Sequence, residues 1–362
     1  MKKYLTLAAS ALMLAACSEK PSYEIAGTVS ADANGKYVYL YNFPYSEEAT
    51  ALDSALVQNG AFSLKGVTAA PELCVLVNPI AEGKASRVAF ILENAKLTAN
   101  LGEESSVTGS VENDQYNKLY QDLKQLYAQT KELAADMKSE DADVVAAAEK
   151  KYEAIEKEAT AMSKAYIEAN PSSKLAALVF SDNRYNLTEE EQNEILAKVD
   201  ENFKSVPGID KMIKHLEVLS NSAIGKKFID FEMADAKGKT HKLSEYVGNG
   251  KVVLIDFWAS WCSPCRREMP NLVKAYKEYK GKGFDIIGIS LDNKADAWEK
   301  GVKDLGITWA QLSDLQGWKN SGAALYGVNS IPHTILVDKD GTILAKNLHG
   351  EALDAKLKEV LK

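Results

Sequence analysis

Apolar and polar residues alternate with a period of two from Tyr23 to about residue 110. Tyr23 to Val29, Lys36 to Tyr41, Ala61 to Leu64, Leu73 to Val77, Arg87 to Leu92 and Leu97 to Leu101 read as short strands, separated by turn residues such as Asp32, Asn34 and Gly35. Asn59-Gly60, directly before Ala61-Phe62-Ser63-Leu64, predicts a hairpin. This spacing of strands suits a sandwich or a barrel.

From Asn113 the period becomes helical. Tyr116, Leu119, Leu123, Leu126, Thr130, Leu133 and Met137 step by three and four, and after Ser139-Glu140-Asp141 the stepping resumes from Val145 to Tyr166. Two long amphipathic helices joined by a short turn predict an antiparallel hairpin. Shorter helices follow over Ser172 to Phe180 and Thr188 to Phe203, with Thr188 as N-cap and Glu191 completing a capping box. Pro207-Gly208 breaks the pattern before a last helix that ends near Leu219. The apolar stripes read as core, and the charged faces as solvated surface.

Asn221 to Gly225 is the best boundary. Beyond it, Phe228 to Met233 and Thr240 to Leu243 flank Asp235-Ala236-Lys237-Gly238 as a small hairpin. Val252 to Phe257 is apolar enough to be a strand buried on both faces, and it runs straight into a helix that continues to Tyr279. A strand over Phe284 to Leu291, helices over Ala295 to Leu305 and Trp318 to Tyr326, strands at Thr334 to Asp338 and Thr342 to Lys346, and a helix over Ala352 to Leu361 complete the chain. The order is βαβ followed by an antiparallel hairpin and a helix.

Composition leaves this picture unchanged: 46% hydrophobic and 26% charged residues are ordinary for a globular chain of 362 residues. The formal charge of −8, with no cluster of Lys and Arg against it, argues against nucleic acid as a partner. The first residues change more. Lys2 and Lys3 precede an apolar run, Leu5 to Ala16, too short to span a bilayer. The run ends Leu14-Ala15-Ala16-Cys17, which resembles the lipobox of bacterial lipoproteins. That resemblance implies a signal peptide over residues 1–16 and a lipidated Cys17 as first mature residue; a plain signal peptide cut near the same alanines is the alternative. A lipid-anchored protein of this kind works outside the cytoplasm, facing the periplasm, where thiols can be oxidised.

Of the four cysteines, Cys17 is the anchor candidate, and Cys74 stands in a strand, where a small buried hydrophobe is the ordinary reading and a reactive thiol the other. Cys262 and Cys265 are three apart on the first turn of a helix, on one side of it and within reach of a disulfide. Pro264 between them loses nothing, because a first-turn amide has no intrahelical partner. Cys262, at the helix N-terminus and with Arg266 and Arg267 nearby, is placed to ionise and attack. Cys265, a turn deeper, would resolve the mixed disulfide. A zinc site would need a second pair of Cys or His ligands, which the sequence lacks, so neither metal nor other cofactor is expected.

Phe257-Trp258-Ala259-Ser260-Trp261-Cys262-Ser263-Pro264-Cys265-Arg266-Arg267-Glu268-Met269-Pro270 resembles the thioredoxin superfamily, and specifically the TlpA/ResA group of membrane-anchored thiol-disulfide oxidoreductases. Glu268-Met269-Pro270 and Gly225-Lys226-Lys227-Phe228-Ile229-Asp230-Phe231 belong to that group's pattern. The resemblance implies an α/β thioredoxin-like domain over residues 223–362, with an αβ insertion between Asp292 and Tyr326 whose Trp298, Trp309 and Trp318 are core. Before it stand a β-sandwich or barrel-like domain over residues 23–110 and a helical region over residues 111–220, with residues 17–22 as a linker. Residues 23–110 resemble, on strand spacing and Asn59 to Gly66, an uncharacterised β-domain of bacterial lipoproteins.

Three site residues follow from the resemblance. Pro332 after Ile331 matches a cis-proline that helps hold a substrate strand, with Trp261, Pro264 and Ile331 lining the groove. Asp256 matches a buried acid that assists the deeper cysteine, and burial in an apolar strand should raise its pKa; a solvated strand-end Asp is the alternative. His333 stands where Thr is commoner, either tuning the thiols or simply packed. The implied activity is reduction of disulfide-bonded protein substrates, with the pair re-reduced by a membrane thiol-transfer protein, as in cytochrome c maturation. Two rivals remain: a peroxidase of the peroxiredoxin type, which wants Thr three residues before its cysteine where this chain has Ala259, and a docking lipoprotein whose N-terminal domains select a partner.

Overall fold

A computed structural model describes residues 21–79 and 86–361. The expected signal peptide and Cys17 lie outside the described residues. The described residues form two compact units, which divide between Asp210 and Lys211. No helix among the described residues is long and apolar enough to cross a membrane.

In the first unit the strands are β1 (Tyr23–Val29), β2 (Tyr37–Asn42), β3 (Asp53–Leu56), β4 (Ala61–Gly66), β5 (Glu72–Asn78), β6 (Ser86–Leu92), β7 (Lys96–Leu101) and β8 (Ser106–Thr108). They form two four-stranded sheets, ordered β4-β1-β7-β8 and β3-β2-β5-β6. Alternate residues of both, among them Ile25, Leu97, Leu40 and Leu76, meet in one core, which makes a sandwich. Cys74 lies in that core, and burial pushes its thiol up to about 12. The Asn59-Gly60 turn forms, with φ of 51° and 72°, and a Gln58–Ala61 bridge closes it. Its two arms nevertheless pair apart, β3 with β2 and β4 with β1, so the turn hands the chain from one sheet to the other.

The helices are α1 (Val111–Ala128), α2 (Thr130–Asp136), α3 (Ala142–Ala169), α4 (Lys174–Asn183), α5 (Glu189–Lys198), α6 (Glu201–Lys204) and α7 (Ile209–Asn221), which carries the chain into the second unit. The first predicted helix is interrupted at Gln129, where the Thr130 hydroxyl donates to the Tyr127 carbonyl. The α1–α2 arm of the hairpin still packs on α3, through Leu126 of α1 and Leu133 of α2 against Ile155 and Ala159. Thr188 and Glu191 form the capping box, while Asp200 caps a new helix and divides the segment predicted to run to Phe203. The β-rich region over 23–110 and the helices up to Asp210 lie in one compact unit. Buried Asn113 on α1 shows how: its amide accepts the Ile91 N–H and donates to the Ile91 carbonyl, both at 2.8 Å, closing the open edge of β6.

After α7 the second unit continues with the hairpin β9 (Glu232–Ala234) and β10 (Thr240–Lys242). Its main sheet, ordered β13-β12-β11-β14-β15, comprises β11 (Val252–Trp258), β12 (Phe284–Ser290), β13 (Ala310–Leu312), β14 (His333–Val337) and β15 (Ile343–Lys346). The remaining helices are α8 (Ser263–Tyr279), α9 (Ala295–Asp304), α10 (Ser321–Leu325) and α11 (Gly350–Val360). This is a thioredoxin-like α/β fold. Its central strand β11, parallel to β12 and antiparallel to β14, is buried at every position, as its sequence, apolar but for Asp256, requires.

Candidate active site

Strand β11 delivers the chain to a three-residue corner, Ala259-Ser260-Trp261, and α8 starts immediately after it. The corner is pinned from the loop just after β12. Asp292, itself buried, accepts the Ser260 N–H at 2.9 Å on Oδ2 and the Ser260 hydroxyl at 2.6 Å on Oδ1. The Ser290 hydroxyl donates to the same carboxylate at 2.8 Å. Behind the corner, α9 presents Gly301, where a Cβ would fall 2.8 Å from Ser260 Cβ. At the strand end, the Trp258 indole N–H donates to Gln311 Oε1 at 2.9 Å.

Cys262 is the N-cap of α8, and its Sγ accepts the Cys265 N–H at 3.1 Å. Sulfur therefore occupies the place where the helix offers free amides and the positive end of its dipole, which favours a thiolate over a thiol. The Arg266 guanidinium donates to the Ser260 carbonyl at 3.3 Å and sets a positive charge over the corner. Cys262 and Cys265 are joined as a disulfide, with Cα atoms 5.3 Å apart. Both cysteines are buried as residues, Cys265 at 1% exposed and Cys262 at 4%. The Ile331 carbonyl oxygen lies 3.6 Å from Cys262 Sγ, and the Ile331-Pro332 bond is cis. Pro264 is exposed in the first turn, and Trp261 is half exposed beside Cys262.

Asp256 sits in β11 with Gly288 and Thr334 as its neighbours across the sheet, fully buried, and its Oδ2 has no hydrogen-bond partner among the described residues. Burial, with the Glu268 charge adding to it, pushes the carboxyl up to about 7. Glu268 is held in place by the Gly350 N–H at 2.8 Å and the Asn271 amide at 3.0 Å. The structure thus brings together the two cysteines and Ile331-Pro332, and links Asp256 electrostatically to Glu268 on the redox helix.

His333 is a packed histidine. Its ring meets Phe257 edge-on at 6.1 Å, and burial, with Lys346 and His349 adding to it, pushes its pKa down to about 4. It is neutral at pH 7. Trp298 and Trp309 are core as expected, but Trp318 is 53% exposed and its ring stands 6.0 Å from that of Trp261. The predicted helix from Trp318 to Tyr326 is instead a single 3-10 turn, Gly317–Lys319, followed by α10. Asn320 breaks it, leaving helical angles to cap α10 by accepting the Ala323 N–H.

The role of Asp292 carried no sequence signal, because the residue lies some thirty positions from the corner it holds and belongs to no local motif. Glu268 was visible as part of the motif, but its effect on Asp256 depends on packing.

A family model described as the AhpC/TSA family matches residues 224–346, and one described as a domain of unknown function, DUF4369, matches residues 23–116. The thiol-disulfide oxidoreductase ResA of Geobacillus kaustophilus is 36% identical over 121 residues, 33% of this chain and 67% of the relative. ResA of Bacillus thuringiensis subsp. konkukian is 34% identical over 139 residues, 38% of this chain and 77% of the relative. Among solved structures, a thiol-disulfide oxidoreductase from Bacteroides fragilis has a TM-score of 0.35 and 37% identity, covering 37% of this chain and 98% of its own.

Proposed function

This chain belongs to the ResA family of thiol-disulfide oxidoreductases, and from that premise we propose that it reduces disulfides of extracytoplasmic proteins through Cys262 and Cys265. The observation that carries the proposal is Cys262 Sγ as the N-cap of α8, accepting the Cys265 N–H. In the dithiol form the Cys262 thiolate attacks a substrate disulfide, forming a mixed disulfide and releasing one substrate thiolate. Cys265 then attacks Cys262 Sγ, the second substrate sulfur leaves as thiolate, and two electrons have passed from the pair to the substrate. Asp256, with a carboxyl that changes charge near neutral pH, takes the Cys265 proton as that thiol becomes the nucleophile. The Ile331 carbonyl, next to the reacting sulfur, and Pro332 orient the substrate chain, with Trp261 and Pro264 lining its groove.

The lipobox-like start supports a lipid anchor at Cys17 and work on the periplasmic side of a membrane, where a membrane thiol-transfer protein returns two electrons to the oxidised pair. Apocytochromes and misoxidised proteins are the substrates to test. Cys262→Ser should abolish insulin reduction and Cys265→Ser should accumulate mixed disulfides; two variants that work like the parent chain would defeat the reading. Loss of labelled acyl chain from a Cys17→Ala variant would support the anchor. A reduction potential near about −270 mV fits a reductase, whereas one near about −120 mV would make the pair an oxidant. Ala259 stands where a peroxiredoxin needs Thr, and failure to consume peroxide with a supplied dithiol separates the two chemistries.

A further inference from the structure

We infer that Trp318 and Trp261 together form a recognition subsite for an aromatic or large aliphatic side chain next to the target cysteine of the substrate polypeptide. The inference rests on the disulfide-reductase reading and adds to it a preference among substrates.

The second unit buries tryptophan wherever it builds core: Trp258, Trp298 and Trp309 are 0%, 2% and 5% exposed. Trp261 and Trp318 break that rule at 50% and 53%, and they do so side by side, with ring centroids 6.0 Å apart and planes tilted by 56°. Two half-bare indoles in contact make an adhesive surface that a solvated protein gains nothing by keeping. Tryptophan is among the residues enriched where one chain anchors another.

The exposure of Trp318 is built in. Asp314 Oδ1 accepts the Asn320 side-chain amide at 2.9 Å and the Gln316 N–H at 3.1 Å, while its Oδ2 accepts the Ser321 N–H at 2.8 Å. Asn320 is fully buried, and the Ser313 hydroxyl donates to the Ser290 carbonyl at 2.9 Å, tying the loop to the end of β12. Leu315 holds φ of 55°, a left-handed angle that costs a branched residue energy, and so serves to aim the turn. Beside the two rings the groove is lined by Leu291, Leu315 and Gly317 and by the polar Asn293, Gln316 and Lys319, so the indoles are its main apolar surface.

The occupant follows from continuity with the sulfur site. Trp261 directly precedes Cys262, so a polypeptide bonded through its own cysteine to Cys262 must run across this corner. Its neighbouring side chain then meets the indole pair. An apolar side chain loses water against both rings, while a small polar one leaves them wet.

The test uses two oxidised peptides with an internal disulfide, identical except for Phe or Ser beside the first cysteine. The parent chain should reduce the Phe peptide with a kcat/KM about tenfold above that of the Ser peptide, the scale of discrimination an apolar subsite provides. In Trp318→Ser the ratio should fall to about one, and Trp318→Phe should restore most of it. Equal rates for both peptides in the parent chain, or a ratio unchanged in Trp318→Ser, would overturn the inference. A parent chain that reduces neither peptide nor oxidised glutathione would instead overturn the reductase reading beneath it.

Discussion

Asp292 holds Ser260 by two hydrogen bonds, accepting its backbone N–H at 2.9 Å and its hydroxyl at 2.6 Å. Ser260 stands two residues before Cys262, so the carboxylate decides where the reactive sulfur leaves the strand. It is a positioning residue. In Asp292→Ala the buried Ser290 hydroxyl and the half-buried Ser260 N–H and hydroxyl all lose their acceptor. A buried unmet group costs about 1–3 kcal/mol and the half-buried ones less, so urea unfolding should show a loss of about 1–3 kcal/mol. Reduction of a small disulfide should slow with it, because the corner is no longer held. A variant within about 0.5 kcal/mol of the parent chain would show that the corner needs no such support.

Gly301 is the space on the other side of the same corner. A Cβ there would meet Ser260 Cβ at 2.8 Å and the Trp258 ring at 3.4 Å. Gly301→Ala gains about 1 kcal/mol of helix propensity in α9, yet must displace Ser260 or the helix, and overpacking costs about 1–3 kcal/mol. The net change should be destabilising, with a lower melting temperature and a slower thiol-disulfide exchange. A melting temperature above that of the parent chain would show that the contact is soft.

Asp256 makes stability depend on pH in a direction that can be stated in advance. Its carboxyl is pushed up to about 7 in the folded chain, against about 3.9 when unfolded. Between those values the folded state keeps a proton that the unfolded state has released, so stability falls as pH rises from about 4 to about 7 and then levels. The full difference is on the order of 4 kcal/mol. Asp256→Asn should remove this slope, so that the variant gains on the parent chain from pH 4 to pH 8 in urea titrations. Parallel curves for the two would mean that the carboxyl is not raised.

Cys74 should be chemically silent. It is buried in the sandwich, and its thiol is pushed up to about 12. In the native chain, reduced at Cys262 and Cys265, iodoacetamide at pH 8 should leave Cys74 unmodified, and should reach it once urea is added. Mass spectrometry of the labelled peptides reads the result, and rapid native labelling of Cys74 would contradict it.

The redox corner was legible because its determinants are local. An apolar run long enough for a strand, a proline in a first turn and two cysteines three apart all act within one strand-turn-helix. The same holds for the Thr188-Glu191 capping box and for Asn59-Gly60, whose left-handed angles the turn requires. Lower legibility has a common cause. Strands β3, β8 and β13 are three or four residues long, too short to show a period, and exist because a neighbour supplies their hydrogen bonds. Trp318 read as core because large aromatics usually are, and its exposure depends on how Asp314 and Asn320 bend the chain beneath it.

By itself the sequence determined which sulfurs meet, at which end of a helix they stand and which strand lies under them, since these depend on residues next to one another. The tertiary structure decided what surrounds the sulfurs. It set the carboxylate of Asp292 against Ser260, Glu268 within reach of Asp256, the Ile331 carbonyl beside Cys262, and Trp318 against Trp261. The Asp292, Ile331 and Trp318 contacts join segments far apart in the chain, and the Glu268 effect needs a helix folded back beside its strand. No local pattern encodes such pairings, because each depends on how strands, helices and turns pack once formed.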